Sequence, residues 1–176
     1  MLTGLGTGPG GRPLGHAKFI RPNRTPLTYS ISVTGDSAST LVVGDDDPEL
    51  SKQLDDALTA FNEAATSTAY GDSFSIKVTD GNSELVGGLT AWTWGGLCGI
   101  SMLWVRGDSR KQGWGSKILQ AAEAEAVRRG CDRVAVSSFT FQAPGFYQRH
   151  GYVETGRMLG IPDGHEDVHM FKRLTA

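Results

Sequence analysis

Leu103-Trp-Val-Arg-Gly-Asp-Ser-Arg110-Lys-Gln-Gly113-Trp-Gly115-Ser116 is the stretch on which the reading of this chain turns. It begins at the end of an apolar run, Leu97 to Val105, that reads as a strand, and it leads into a helical pattern. A loop that delivers Gly113 and Gly115 at the start of a helix points several backbone N–H groups at one spot. Nothing inside the helix satisfies those donors, and the helix dipole adds to their pull on an anion. Glycine lets a phosphate come close to the backbone, and Arg110 and Lys111 add positive charge. A pyrophosphate fits such a loop. Taken alone, the two glycines could equally make a tight turn between strand and helix.

The spacing excludes two other phosphate loops. A nucleotide-hydrolysing P-loop places four residues between its glycines and follows them with Lys-Ser/Thr. Gly6, Gly8 and Gly11 do satisfy GxGxxG, but Pro9 and Pro13 interrupt them and no apolar strand precedes.

Working outward, the helix after the loop carries Ile118, Leu119, Ala122 and Ala126 on one face and stops at Gly130. Arg133 to Ser137 is then a short strand, so the unit is a strand–loop–helix–strand crossover. Upstream, Phe74 to Thr79, Leu85 to Trp94 and Leu97 to Val105 form an antiparallel meander, turning at Asp80–Ser83 and at Gly95-Gly96. Asp47-Pro48-Glu49 starts a helix that runs to about Ser67. Its stripe of Leu50, Leu54, Leu58 and Phe61 is expected to pack on something flat. Tyr29 to Val33 reads as a first strand, and the stretch from Gly35 to Asp47 as irregular. Downstream, Pro144 to His150 reads as a short helix, and Tyr152–Leu159 and Val168–Leu174 as a last pair of strands. The whole is a mixed α/β sheet with helices on both faces.

A second segment supports the first. After the crossover strand comes Thr140-Phe-Gln142-Ala143-Pro-Gly-Phe146-Tyr147-Gln-Arg-His150-Gly151-Tyr152. Arg110-x-x-Gly113-x-Gly115, preceded by Leu103-x-Val105, resembles the acetyl-CoA signature of the GNAT superfamily of N-acetyltransferases. Ala143, Tyr147, Gly151 and Tyr152 resemble that family's closing element, one helix and one strand further on. The resemblance covers about residues 27–174 and implies the GNAT fold, with a mostly antiparallel central sheet of about six to seven strands. It implies an acetyl-CoA-dependent N-acetyltransferase, acting without a metal on a small-molecule amine.

By that resemblance Arg110, Lys111, Gln112, Gly113, Trp114, Gly115 and Ser116 hold the pyrophosphate of coenzyme A, and Leu103 and Val105 pair with its pantetheine arm. Tyr147 becomes the general acid to the departing thiolate, chemistry open to a phenol with an unperturbed pKa near 10. Two positions depart from the pattern. Gly107 stands where many relatives have proline, which should loosen the turn. Thr140 stands where asparagine is common, and Gln142 is the candidate to replace its bond to the cofactor.

The general base is missing. Relatives often carry a glutamate on the strand before the loop, but Leu97 to Val105 has no carboxylate. His165, Glu166 and His169 are candidates, since an imidazole titrates near neutrality. His150 sits at a helix C-terminus, where a cation is favoured without any catalytic role. Trp92 and Trp94 fall on one side of a strand and either line an acceptor pocket or pack. Two other readings keep the fold: an enzyme taking an aminoacyl group from a charged tRNA, and a non-catalytic acyl-CoA sensor.

Composition fits one soluble domain, since 176 residues allow a single sizeable core and only 20% of them are charged. No apolar run approaches the roughly 20 residues that span a bilayer, so no membrane partner and a cytoplasmic location are expected. Cys98 and Cys131 are too far apart for a zinc or redox pair and read as reduced, buried thiols. Residues 1–26 read as a flexible basic leader rich in glycine and proline, with Arg12, Lys18, Arg21 and Arg24 and no acid. The acyltransferase domain is placed at residues 27–176. A homodimer is left open.

Overall fold

The structure is a computed structural model that describes residues 27–31, 39–69 and 71–174. The basic leader lies outside them. Eight strands and three α-helices follow in the order β1 (Leu27–Ile31), β2 (Ser39–Val43), α1 (Pro48–Thr66), β3 (Ser73–Thr79), β4 (Leu85–Trp94), β5 (Leu97–Val105), α2 (Trp114–Arg128), β6 (Arg133–Phe139), α3 (Pro144–Arg149), β7 (Val153–Ile161) and β8 (His165–Arg173). Strands β3 to β8 form one six-stranded sheet in the order β3-β4-β5-β6-β8-β7. Its neighbours are antiparallel except β5 and β6. This is the mixed α/β sheet expected from the meander and the crossover.

The core lies between this sheet and α2, which rests against β3, β4, β5 and β6. Ile118, Leu119, Ala122 and Ala126, the stripe read from the sequence, are all buried there. They meet Leu89, Ile100, Leu103, Val134, Val136, Val168 and Met170. Cys98 and Cys131 belong to the same core, both as free thiols. Burial pushes the Cys98 thiol up to about 12.

Two expectations need correction. The stretch before Asp47 is not irregular throughout: Ser39–Val43 is a strand, paired antiparallel with β1 from Leu27↔Val43 to Ile31↔Ser39. Leu41-Val42-Val43 lacks the alternation that marks a half-buried strand, and all three side chains are exposed. The pair forms a two-stranded sheet of its own. The apolar stripe of α1 also fails to pack as expected. No residue of this helix is buried, and Leu50, Leu54, Leu58 and Phe61 are all exposed.

What positions the site is a fork. The β5–β6 ladder runs only from Leu97↔Arg133 to Gly99↔Ala135, although β5 continues to Val105 and β6 to Phe139. Just past the last rung β5 bulges: Ala91 faces Ile100 but Thr90 faces Met102, leaving Ser101 as the extra residue. The bulge turns β5 away from β6. Both strands therefore enter the gap with backbone groups on one edge that β-pairing does not satisfy.

Candidate functional site

The loop from β5 to α2 closes one end of this fork. It begins with a single helical turn, Gly107–Ser109. Side chains brace the turn where Gly107 leaves it free: Arg106 Nε donates to Asp108 Oδ1 at 2.8 Å and its guanidinium reaches Asp80 Oδ2 at 3.0 Å. That guanidinium holds both carboxyls below the usual carboxylate range. Gln112 Nε2 donates to the Asp108 carbonyl at 3.1 Å, so this side chain supports the loop from within. Lys111 sits at φ 64° and Gly113 at φ 80°, two left-handed residues that let the chain reverse into the helix.

The helix opens earlier than the pattern indicated, at Trp114, which puts Gly115 and Ser116 in its first turn. Its cap residue is Gly113, with no side-chain cap. Lys117 N–H bonds to the Gly113 carbonyl at 3.1 Å. The N–H groups of Trp114, Gly115 and Ser116 lie ahead of that bond.

A cavity of about 470 Å³ lies over this helix start, lined by Leu103, Val105, Arg110, Lys111, Gly113, Trp114, Gly115 and Ser116 among others. These are eight of the ten predicted cofactor residues. Arg110 Nε donates to the Val105 carbonyl at 3.1 Å, tying the loop to the end of β5. The two that do not line it have local jobs. Gln112 braces the loop, and Gln142 Oε1 accepts from Phe139 N–H at 3.0 Å, closing the turn after β6. Thr140 is likewise engaged. Its Oγ1 lies 3.1 Å from His165 Nδ1 and accepts from the Glu166 N–H, so it joins the end of β6 to the start of β8.

Helix α3 supplies the opposite wall through Ala143, Phe146 and Arg149. Phe146 and Arg149 were missed as site residues, although with Ala143 they recur every third position and so share a face of a short helix. A Cβ on Gly115 would lie 3.4 Å from the Phe146 ring, so the glycine admits the close approach of α3 to α2.

His150, assigned no role from the sequence, joins the two motifs. Its Nε2 is 2.9 Å from Ser116 Oγ and its Nδ1 is 2.8 Å from the Phe146 carbonyl. A carbonyl only accepts, so Nδ1 carries the proton, and in the neutral ring Nε2 accepts from the Ser116 hydroxyl.

Tyr147 is fully buried and lies behind the cavity wall, its ring edge-on to Phe146 at 5.1 Å and to Tyr152 at 5.6 Å. On the meander, Trp92 packs across Gly99, and its indole N–H is buried without a hydrogen-bond partner among the described residues. Trp94 borders a separate hollow with Thr66, Leu97 and Arg133.

A cavity that joins uncapped helix N–H groups, three cationic side chains (Arg110, Lys111 and Arg149) and a forked parallel strand pair has the donor set for a pyrophosphate joined to an extended polar arm. Comparison with known proteins gives the family. Residues 42–152 match the model of the acetyltransferase (GNAT) family, and the chain belongs to that family. It is an acetyltransferase. The chain is 40% identical over 95 residues to a blasticidin-S acetyltransferase of Streptomyces morookaense, covering 52% of this chain and 68% of that one. It is 28% identical over 128 residues to an acetyltransferase of Agrobacterium fabrum, covering 73% and 93%. Among solved structures, an acetyltransferase from Bacillus cereus superposes with a TM-score of 0.68 at 28% identity, covering 75% of this chain and 96% of that one. No helix among the described residues is long and apolar enough to cross a membrane.

Proposed function

We propose that this acetyltransferase moves the acetyl group of acetyl-CoA directly onto the amino group of a small molecule. The observation that carries the reading is the uncapped start of α2 beneath the cavity, next to a strand pair that opens after Gly99↔Ala135. The N–H groups of Trp114, Gly115 and Ser116, with Arg110 and Lys111, take the pyrophosphate. The free edge of β5 at Leu103 and Val105 takes the pantetheine arm. The thioester then lies in the fork, where an amine can reach it.

Direct aminolysis forms a C–N bond and breaks the C–S bond, and the departing thiolate needs a proton. Tyr147 is the donor in this reading, one residue along α3 from a side chain that lines the cavity. The blasticidin-S acetyltransferase of Streptomyces makes an amine-bearing antibiotic such as blasticidin S a natural first acceptor to test.

The test is an amine-library screen that includes blasticidin S and follows the release of free coenzyme A thiol, with charged tRNA as a control donor. Release with an amine supports the proposal. Turnover with the charged tRNA alone, or binding of acetyl-CoA without any turnover, would refute it. Tyr147→Phe should lower kcat about 100-fold with a smaller change in acetyl-CoA affinity, and unchanged turnover removes the general-acid role.

A further inference from the structure

An amine acceptor arrives mostly as an ammonium ion, because alkylamines ordinarily titrate near 10. It must lose a proton before it can attack, and β5 offers no carboxylate to take it. Two of the three bases considered from the sequence are occupied. His165 Nδ1 faces Thr140 Oγ1 at 3.1 Å, and Glu166 Oε2 accepts from Arg157 at 2.6 Å. His169 is not so engaged, and behind it stands a residue the sequence reading passed over.

Asp167 is 9% exposed, in register with Phe139 on β6 and Met158 on β7. Its Oδ1 is buried without a hydrogen-bond partner among the described residues. The ion-pair partner found for it there is His169, whose Nε2 lies 3.5 Å from Oδ2. A buried carboxylate without a partner is costly, and the imidazole of His169 is the group placed beside this one.

The imidazole, by contrast, reaches the surface, with a side chain 36% exposed. Its register partner is Ser137, two residues beyond Ala135, where β6 parts from β5. Residues paired across an antiparallel ladder share a face. His169 therefore stands one strand away from the fork, on the same face as Ser137 and Asp167. The core residues Val168 and Met170 alternate onto the opposite face.

We infer that Asp167 and His169 form the general base of the transfer, with His169 accepting the proton of the acceptor ammonium and Asp167 orienting the ring. This rests on the acyl-transfer reading given above. Asp167 takes the Nε2–H, which leaves Nδ1 as the proton acceptor. One ammonium proton passes to Nδ1 and on to solvent. As the C–N bond forms and the C–S bond breaks, the nitrogen loses its second proton, which balances the one delivered to the thiolate. His169 touches the substrate, and Asp167 is a positioning residue.

Among the described residues, few other charges are in register on this face of the ladder. On its own strand these are His165 and Arg173, and across β6 is Arg133, in register with Arg173. From β7 the neighbours in register are Gly156 and Met158. Glu154, Arg157 and Glu166 are tied together, and Arg157 and Glu154 are in register with Val168 and Met170 on the opposite face.

The experiment measures kcat and KM against pH for the full chain with acetyl-CoA and the best amine from the screen. In the wild type, kcat/KM should fall on the acid side as an imidazole takes up its proton. His169→Ala should lower kcat about 100-fold, leave KM for acetyl-CoA unchanged and abolish that acid limb, and added imidazole should restore part of the rate. Asp167→Asn should lower kcat about 10-fold and keep the limb; since His169 is half-exposed, its variant decides the matter if Asp167→Asn does not fold. Unchanged kcat in His169→Ala, or a loss that imidazole does not relieve and that KM shares, overturns the base. A wild type inactive with every amine overturns the acyl-transfer reading itself and the base with it, before any variant is made.

Discussion

The helices α1 and α2 have similar sequence patterns and different fates. Each carries an apolar stripe at helical spacing. That of α2 is buried under the sheet, whereas no residue of α1 is buried. Their starts differ as well. Asp47 caps α1, its carboxylate accepting from Glu49 N–H at 3.1 Å and Leu50 N–H at 3.0 Å. Gly113 caps α2 with no side chain at all, and the helix opens onto the cavity. A helix that satisfies its own N-terminus is finished as a structural element. One that leaves it uncapped over a cavity keeps backbone donors available to a ligand. The pattern of apolar residues does not distinguish the two cases, but the cap does.

The comparison can be broken by experiment, and the largest effect is expected in the core. Leu119→Ala should cost about 2–5 kcal/mol in denaturant unfolding, against about 0.5 kcal/mol or less for Leu58→Ala on the exposed stripe. Equal losses would show that α1 packs as tightly as α2. At the helix starts, Gly113→Val places a β-branched residue at φ 80° and should weaken acetyl-CoA binding about 100-fold by calorimetry. Asp47→Ala should cost about 1 kcal/mol of stability and leave that binding alone. Binding that survives the first change would remove the anion site from α2.

A smaller effect is expected where the two sequence motifs meet. His150→Phe keeps a ring against Phe146, now 4.5 Å away, but loses the bond to Ser116. It should raise the KM for acetyl-CoA about 5-fold with kcat nearly unchanged, the size of one hydrogen bond. The smallest concerns the other end of α2, where hydrogen bonds from Arg128 and then Arg129 draw the Glu125 carboxyl from 4.5 down to about 2. A depressed carboxyl contributes stability above its unfolded pKa and loses it as pH falls through the folded one. The melting temperature of the wild type should therefore fall faster than that of Glu125→Gln between pH 4.5 and about 2. Parallel curves would show that the exposed pair contributes nothing.

Much of the fold was legible because its signals are local. The meander alternates, α2 shows its stripe and its Gly130 stop, and the bounds read for these elements fall within a few residues of the structure. The small strand β2 was not legible, because five residues without alternation carry no periodic signal and pair only with β1. The candidate site was legible in half. Arg110 to Ser116 could be read as a candidate because its glycines and cations lie close together in the chain. Phe146 and Arg149 were harder to see because they reach the cavity from a different helix.

By itself the sequence determined the class of this protein, through two short motifs set one helix and one strand apart. It picked out the loop between β5 and α2 and Tyr147 as candidates, both read from a single segment and its local pattern, while the structure moved the helix start forward to Trp114. Only the tertiary structure decided which apolar stripe is buried, where β5 leaves β6, and that His150 touches Ser116. It alone set the buried Asp167 carboxylate against His169. Burial, a fork and a paired charge depend on which segment meets which, and no periodicity within one segment records its partner.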